Sequence, residues 1–417
     1  MKILLVNKYH YVKGGSETYH FGLAKLLESH GHEVIYFSMA DEKNYPCEQE
    51  KYFVSNVDFN GHLSAFAKLK AGFHALYCFD AKKKISRLIE DEKPDIVHIN
   101  LAHRHITLSI VDAIKKYNIP IVFTAHDLNC VCPSHTMLSN GKVCDRCVVE
   151  HSYKPALQQK CVKNSGMQTM LGVVEAKNYE RLHTYDKIDF YICPSDFYRR
   201  QFELSEITKS PVVHWVNFLP LGTEYKMSEN TKDYFLFFGR LSVEKGIMSL
   251  VKAYELGGFE NPLYLVGDGP LREELEDYVK THNLSEKVIF TGFQSGDSLK
   301  KYVSEAKCVI LPSEWYENGP YSILEALASG KPAIVSNYGG LPEIVEDGVS
   351  GFICEPNNPE SLCECLKKMN ALSPDEYKKM SCAALEKAKR DCDCEKYYEK
   401  LIKCYEQLIK KAKEKKQ

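Results

Sequence analysis

Short apolar runs that alternate with helical stretches constrain this chain more than any other feature. Residues 2–6 read KILLV, 95–100 DIVHIN, 120–127 PIVFTAHD and 188–195 IDFYICPS, with helical patterns between them, including 106–117 and about 165–186. Unbroken apolar runs are how strands buried on both faces read, and strands that alternate with helices build a doubly wound parallel α/β sheet. A second series begins at 233 with DYFLFFGR and continues through PLYLVGDG at 262–269, KVIFTG at 287–292, KCVILPS at 307–313 and PAIVS at 332–336. A polar, turn-rich stretch at 217–233 reads as the linker between the two series. The chain has 417 residues, enough for two domains of roughly 200 residues each. The expectation is two Rossmann-like domains, 1–215 and 216–395, then a closing segment at 396–417. Ligands of such sheets sit beyond the carboxyl ends of the strands, so a cleft between facing domains is the expected site.

Charge and hydropathy remove several function classes. The formal net charge is −2, so no global basic field argues for nucleic acid. No run of ~18 apolar residues is present to cross a membrane. The N-terminal apolar run is too short for a signal peptide and reads as a first strand, so a cytoplasmic location is expected. Near the end, Tyr398, Leu401, Ile402, Tyr405, Leu408, Ile409 and Ala412 fall on one helical face, with lysines from Lys400 to Lys416 over the rest. A packed closing helix with a basic tail is the first reading. Peripheral contact with the inner membrane surface is the alternative.

Three motifs carry chemistry. In 235-FLFFGRLSVEKG-246, Arg240 and Lys245 follow a strand end, where two fixed cations suit a diphosphate and can replace a metal; solvated surface charge is the plain alternative. In 13-KGGSE-17, Gly14 and Gly15 precede the first helix, either as a turn or to let backbone N–H groups approach a phosphate. The turn 267-GDGP-270 is open to the same two readings. In 308-CVILPSEWYENGPYSILEALASG-330, a strand leads through a loop to a helix, with Asn318 as its cap and Pro320 at its first position. Glu317 projects from that loop and Glu325 lies in the second turn. Carboxylates accept hydrogen bonds from vicinal hydroxyls, so the pair suits two sugar rings; two charges flanking a helix are the alternative.

The set GRLSVEKG, LVGDGP, VIFTGF, LPSEWYENGPYSILEALASGKPAIVS and GGLPEIVEDGVSGF, with KILLVNKYHYVKGGSE and VFTAHDL in the first half, resembles the family 4 retaining glycosyltransferases. The resemblance covers nearly the whole chain. It implies a GT-B fold, with two Rossmann-like domains facing across a cleft and a terminal helix that crosses back to the N-terminal domain. It implies a nucleotide diphosphate sugar donor bound by the C-terminal domain. Arg240 and Lys245 would hold the diphosphate, with the amides of Gly14 and Gly15 nearby. Glu317, with Asn318 and Gly319 beside it, would hold the donor sugar, and Glu325 the ribose. No catalytic divalent metal is expected.

The resemblance places His126 near the anomeric carbon, with Asp127 orienting its ring; read alone, a buried structural histidine is as good an account. His98 and Asn100, at another strand end, are expected on the acceptor side, together with loops at 40–80 and 128–165. The implied reaction is retaining transfer to a saccharide or lipid-linked saccharide in cell-surface polysaccharide or glycoconjugate synthesis. The alternatives are a nucleotide-sugar 2-epimerase and a non-catalytic nucleotide-sugar binding protein. A dinucleotide oxidoreductase is disfavoured, because the first βα turn lacks GxGxxG.

One cluster stands apart from this scheme. The chain contains 16 cysteines, and the loop 130–161 holds Cys132, the pair Cys144 and Cys147 spaced C-x-x-C, and Cys161. That set suits tetrahedral zinc in a structural role, with free thiols and a redox disulfide as the other readings.

Overall fold

The computed structural model describes residues 1–56 and 76–415. Residues 57–75, within the stretch expected to shape the acceptor side, and Lys416 lie outside the described residues. The chain divides into two compact units: Met1–Asn140, Cys144–Trp215 and Cys394–Gln417 form one; Gly141–Val143 and Val216–Asp393 form the other.

Strands of the first unit are β1 (Lys2–Asn7), β2 (Glu33–Phe37), β3 (Ile96–Leu101) and β4 (Ile121–Thr124). After a short pair, β5 (Leu138–Ser139) and β6 (Lys142–Val143), come β7 (Phe190–Cys193) and β8 (Val212–His214). They form a six-stranded parallel sheet in the order β2-β1-β3-β4-β7-β8, with β5 and β6 apart from it. The apolar runs are its core: Ile3, Leu4, Leu5, Val6, Ile121 and Val122 are all fully buried.

The second unit repeats the plan with β9 (Phe235–Phe238), β10 (Leu263–Val266), β11 (Val288–Gly292), β12 (Cys308–Leu311), β13 (Ala333–Ser336) and β14 (Gly351–Cys354). Its parallel order is β11-β10-β9-β12-β13-β14. Strands β8 and β14 escaped the sequence reading because each is a short, half-exposed edge strand without a long apolar run.

Strand order reverses between β1 and β3 in one sheet and between β9 and β12 in the other. Loops that leave such neighbours diverge and open a crevice at their carboxyl ends, where α/β sheets hold ligands. Gly14, Asn100, Arg240 and Glu317 all follow, or end, one of these four strands.

The closing helix, Cys394–Glu414, belongs to the first unit. Its inward residues are Tyr397, Leu401, Cys404 and Tyr405, a face rotated from the one read from sequence toward Tyr397 and Cys404. Polar contacts set that rotation: Tyr397 shares a 2.6 Å hydrogen bond with Tyr19, and Tyr405 bonds the His98 ring. Tyr398 bonds His32 at 2.8 Å and stacks on His30. Leu401 and Tyr405 of the face read from sequence are buried against the unit's own residues, whereas Ile402, Leu408, Ile409 and Ala412 are half-buried. No helix among the described residues is long and apolar enough to cross a membrane.

Candidate active site

In the second unit, the loop after β9 and the loop after β12 meet through one ion pair. Lys245 Nζ lies 2.6 Å from Glu317 Oε1, with side chains only 20% and 7% exposed. Gly246 makes the approach possible: its φ is +69°, and a Cβ there would stand 2.0 Å from the Pro312 carbonyl oxygen. Glu317 Oε1 also accepts from Ser313 Oγ at 2.7 Å and Trp315 Nε1 at 2.8 Å. All three donors converge on Oε1, and among the described residues none donates to Oε2, which can accept from a ligand hydroxyl. Burial pushes the Glu317 carboxyl upward, but the Lys245 charge and the hydrogen bonds from Lys245, Ser313 and Trp315 outweigh it and hold it below its ordinary value.

Arg240 is exposed just beyond β9, and no side chain among the described residues engages its guanidinium. The turn at 267–270 is a packing device: Gly267 has φ +140°, and a Cβ there would lie 1.9 Å from the Gly239 carbonyl oxygen. Its glycine lets the β10 loop press against the β9 loop that carries Arg240.

The helix after Glu317 is Tyr321–Ala328, and its cap residue is Pro320 in extended conformation, not Asn318. The cap position expected at Asn318 is therefore corrected to Pro320: the helix begins at Tyr321, and Pro320 makes no side-chain cap bond. The Ile323 N–H of this helix turns back to the Pro320 carbonyl at 3.1 Å, and the positive end of the helix dipole favours an anionic ligand. Asn217 fixes the preceding turn by donating to the Gly319 carbonyl at 3.1 Å. Glu325 is half-buried in the second turn, with no hydrogen-bond donor on its carboxylate among the described residues. Burial raises its pKa to about 7, with Lys300 opposing only in part. A ligand that needs the ionised carboxylate must bind tighter as pH rises through 7. We expect donor affinity to fall by up to about tenfold per unit below that point, and Glu325→Gln to abolish the slope. Calorimetry between pH 6 and 8 checks both, and a flat wild-type profile would remove Glu325 from the site.

In the first unit, β1 leads to the first helix, Gly15–Ser29, whose cap residue Gly14 is extended and whose start no side chain caps. Gly14 and Gly15 are exposed there, so backbone N–H groups are presented to solvent. One turn on, Tyr19 packs its ring edge-on against His126, with centroids 4.8 Å apart, and its neighbour His20 reaches Asn100.

His126 lies just beyond β4, half-buried, and its Nε2 is 3.1 Å from Asn100 Oδ1. An amide oxygen only accepts, so His126 carries its proton on Nε2 and keeps a lone pair on Nδ1. The Asn100 amide nitrogen donates in turn to His20 Nδ1 at 3.0 Å. Burial lowers the His126 pKa to about 4, with Asp127 opposing. The ring is neutral at physiological pH, with Nδ1 able to accept a hydrogen bond from a sugar hydroxyl.

Two expectations change here. Asp127 does not hold the His126 ring: its carboxylate accepts from the Asn129 amide N–H at 3.0 Å and side chain at 2.6 Å, closing a local turn. The orienting group is Asn100. His98 does not face an acceptor: it is fully buried, and its ring nitrogens are taken by Tyr405 and by Thr124 Oγ1, the latter at 2.7 Å. It anchors the closing helix.

The sequence reading missed Glu17, which is 2% exposed and accepts from Asn7 at 3.3 Å and Ser16 at 3.1 Å. Burial raises its pKa. An acid two residues after a glycine pair was the available signal. It also missed Gly340, whose N–H donates to the Glu317 carbonyl at 2.7 Å and fixes that residue from behind.

The chain resembles known proteins in sequence and in fold. An uncharacterized glycosyltransferase of Methanocaldococcus jannaschii is 39% identical over 136 residues, 32% of this chain and 35% of that protein. This chain thus spans about a third of that relative's length. A second from the same organism is 25% identical over 381 residues, 91% of this chain and 90% of its own. Among solved structures, sucrose-phosphate synthase from Thermosynechococcus elongatus superposes with a TM-score of 0.70 at 18% identity, covering 98% of this chain and 99% of that one. The Anabaena protein HepE in complex with UDP-glucose gives 0.64 at 19% identity, covering 99% and 100%. These likenesses establish the GT-B fold. Residues 13–221 match the description Glycosyltransferase Family 4 and residues 225–387 match Glycosyl transferases group 1, so the chain belongs to the family 4, group 1 glycosyltransferases.

Proposed function

We propose that the protein transfers a glycosyl group, with retention, from a nucleotide diphosphate sugar to a saccharide or lipid-linked saccharide acceptor. The observation that carries this reading is the meeting of the β9 and β12 loops at Lys245 and Glu317, with Arg240 exposed at the end of β9 and the helix Tyr321–Ala328 starting just after Glu317. Arg240 and Lys245 meet the diphosphate and supply the positive charge that a divalent ion supplies elsewhere. Glu317 Oε2 accepts from the donor sugar and Glu325 from the ribose. HepE, which shares the fold, binds UDP and UDP-glucose, which supports a nucleotide-sugar donor here.

His126 acts on the first-unit side. Its Nδ1 holds a hydroxyl of the transferred sugar while positive charge develops at the anomeric carbon. The leaving phosphate takes the acceptor proton, so retention runs through an oxocarbenium-like state without a protein nucleophile. A 2-epimerase would use the same donor pocket, but nothing in the site favours it.

A panel of UDP-, GDP- and ADP-sugars scored by thermal shift identifies the donor. We expect one nucleotide class to raise the melting temperature and its sugar to be turned over in the presence of EDTA. Activity lost to EDTA and restored by Mg²⁺ would overturn the metal-independent part of this reading. Turnover to an epimerised free donor, with no glycoside formed, would overturn transfer itself.

A further inference from the structure

The cysteine loop takes no part in the site above, yet its thiols do not scatter. Cys132, Cys144, Cys147 and Cys161 come from three separated stretches of chain and line one cavity of about 10 Å³. That is room for about one water-sized sphere. The rest of its wall is largely apolar, with Met137, Leu138, Val148 and Ala156. We propose that this cavity is a structural zinc site in which the four thiolates bind one Zn²⁺.

Three features carry the assignment. Cys144 and Cys147 have the C-x-x-C spacing at which two thiolates share one tetrahedral ion. Cys144 leaves the short pair β5 and β6 with its N–H donating to the Met137 carbonyl at 2.7 Å, and Cys147 sits in the four-residue helix Arg146–Val149. These elements are too small to bury a core of their own. The surrounding backbone is also costly: His135, Met137, Asn140, His151, Lys160, Lys163 and Asn164 all have positive φ. Such residues are strained by about 1–3 kcal/mol each and persist only where something else fixes the fold. Zinc supplies folding free energy of that kind.

All four cysteines are free thiols in the structure. Among the described residues, no group of three or more His, Cys, Asp or Glu side chains is set to hold a metal ion as it stands. On loading, the sulfurs therefore draw in toward a common centre. Each ligating thiol gives up its proton to solvent, no electron moves, and soft sulfur donors select zinc over magnesium or calcium. A pair of disulfides would satisfy the same four residues only by oxidation.

Metal analysis of full-length protein, purified untagged without added metal, is the test. We expect close to one zinc per chain, less than a fifth of that in Cys144→Ser and Cys147→Ser, and no loss in Cys382→Ser, an exposed thiol outside the cluster. Should the cluster variants fail to fold, the wild type still decides. Chelator-stripped protein should alkylate at these four cysteines, and added Zn²⁺ should protect all four and raise the melting temperature. Folded protein that contains no zinc and alkylates equally with and without Zn²⁺ overturns the proposal. So does a Cys144–Cys147 disulfide in protein prepared under reducing conditions.

Discussion

Lys245→Met is expected to lower transfer by about 10²–10³-fold, the range for removing one preorganised charge from a developing anion. It is also expected to destabilise the second unit by about 3 kcal/mol, because it strands Glu317 as a buried, unpaired carboxylate. Two further variants separate these effects. Glu317→Gln in the Lys245→Met background removes the stranded charge, so urea unfolding should show most of the stability restored while transfer stays low. The pH dependence gives a second check. Glu317 is held below its ordinary carboxyl value, so its contribution is fully present above about 4.5, the usual glutamate value. It is lost as pH falls through the lower folded value. In Lys245→Met the loss should begin at higher pH, because the ammonium that kept the carboxyl ionised is gone. A double variant as active as wild type would show that the ion pair is merely a loop clasp.

The second large effect is on the histidine. His126→Ala should cut transfer by about 10²–10⁴-fold, the span for groups that handle hydrogen bonds or protons at a reacting centre. Thermal shifts induced by the nucleoside diphosphate alone should be unchanged, since the diphosphate and ribose contacts proposed above lie on the other unit. Asn100→Ala acts through His126: it frees the ring to turn and to change tautomer, so a loss of about tenfold in turnover with an unchanged nucleoside-diphosphate shift is expected. The pH profile separates this positioning role from simple loss of packing, because removing the Asn100 carbonyl alters which nitrogen titrates. Full transfer in His126→Ala would remove His126 from the reaction.

What the sequence made legible follows from which interactions are local. Unbroken apolar runs such as KILLV and FLFF identify central strands because burial on both faces leaves no room for polar residues. The glycine pair before the first helix, and the glutamates on either side of the helix at Tyr321, are legible for the same reason: their geometry is set within a dozen residues. Lys245 and Glu317 pair across two loops, and that pairing depends on β9 lying next to β12, an order no local pattern encodes. The Asn100–His126 contact likewise depends on β3 and β4 being neighbours and on which way an amide points. His98 was misjudged because a histidine at a strand end looks the same whether it faces a ligand or a tyrosine three hundred residues downstream. The helix start was misplaced by one residue, at Pro320 instead of Tyr321, because an extended proline can close a loop as readily as it can open a helix.

The helix Cys394–Glu414 completes a unit whose sheet is otherwise encoded before residue 216. Tyr19, His32 and His98, all encoded early, wait for Tyr397, Tyr398 and Tyr405. On a ribosome the first unit therefore emerges with one flank uncovered and stays so until the whole second unit has been synthesised. The second unit carries both of its edges in one continuous stretch and can finish first. Synthesis order and folding order then run opposite to each other, and the last helix to appear is the step that seals the earliest strand.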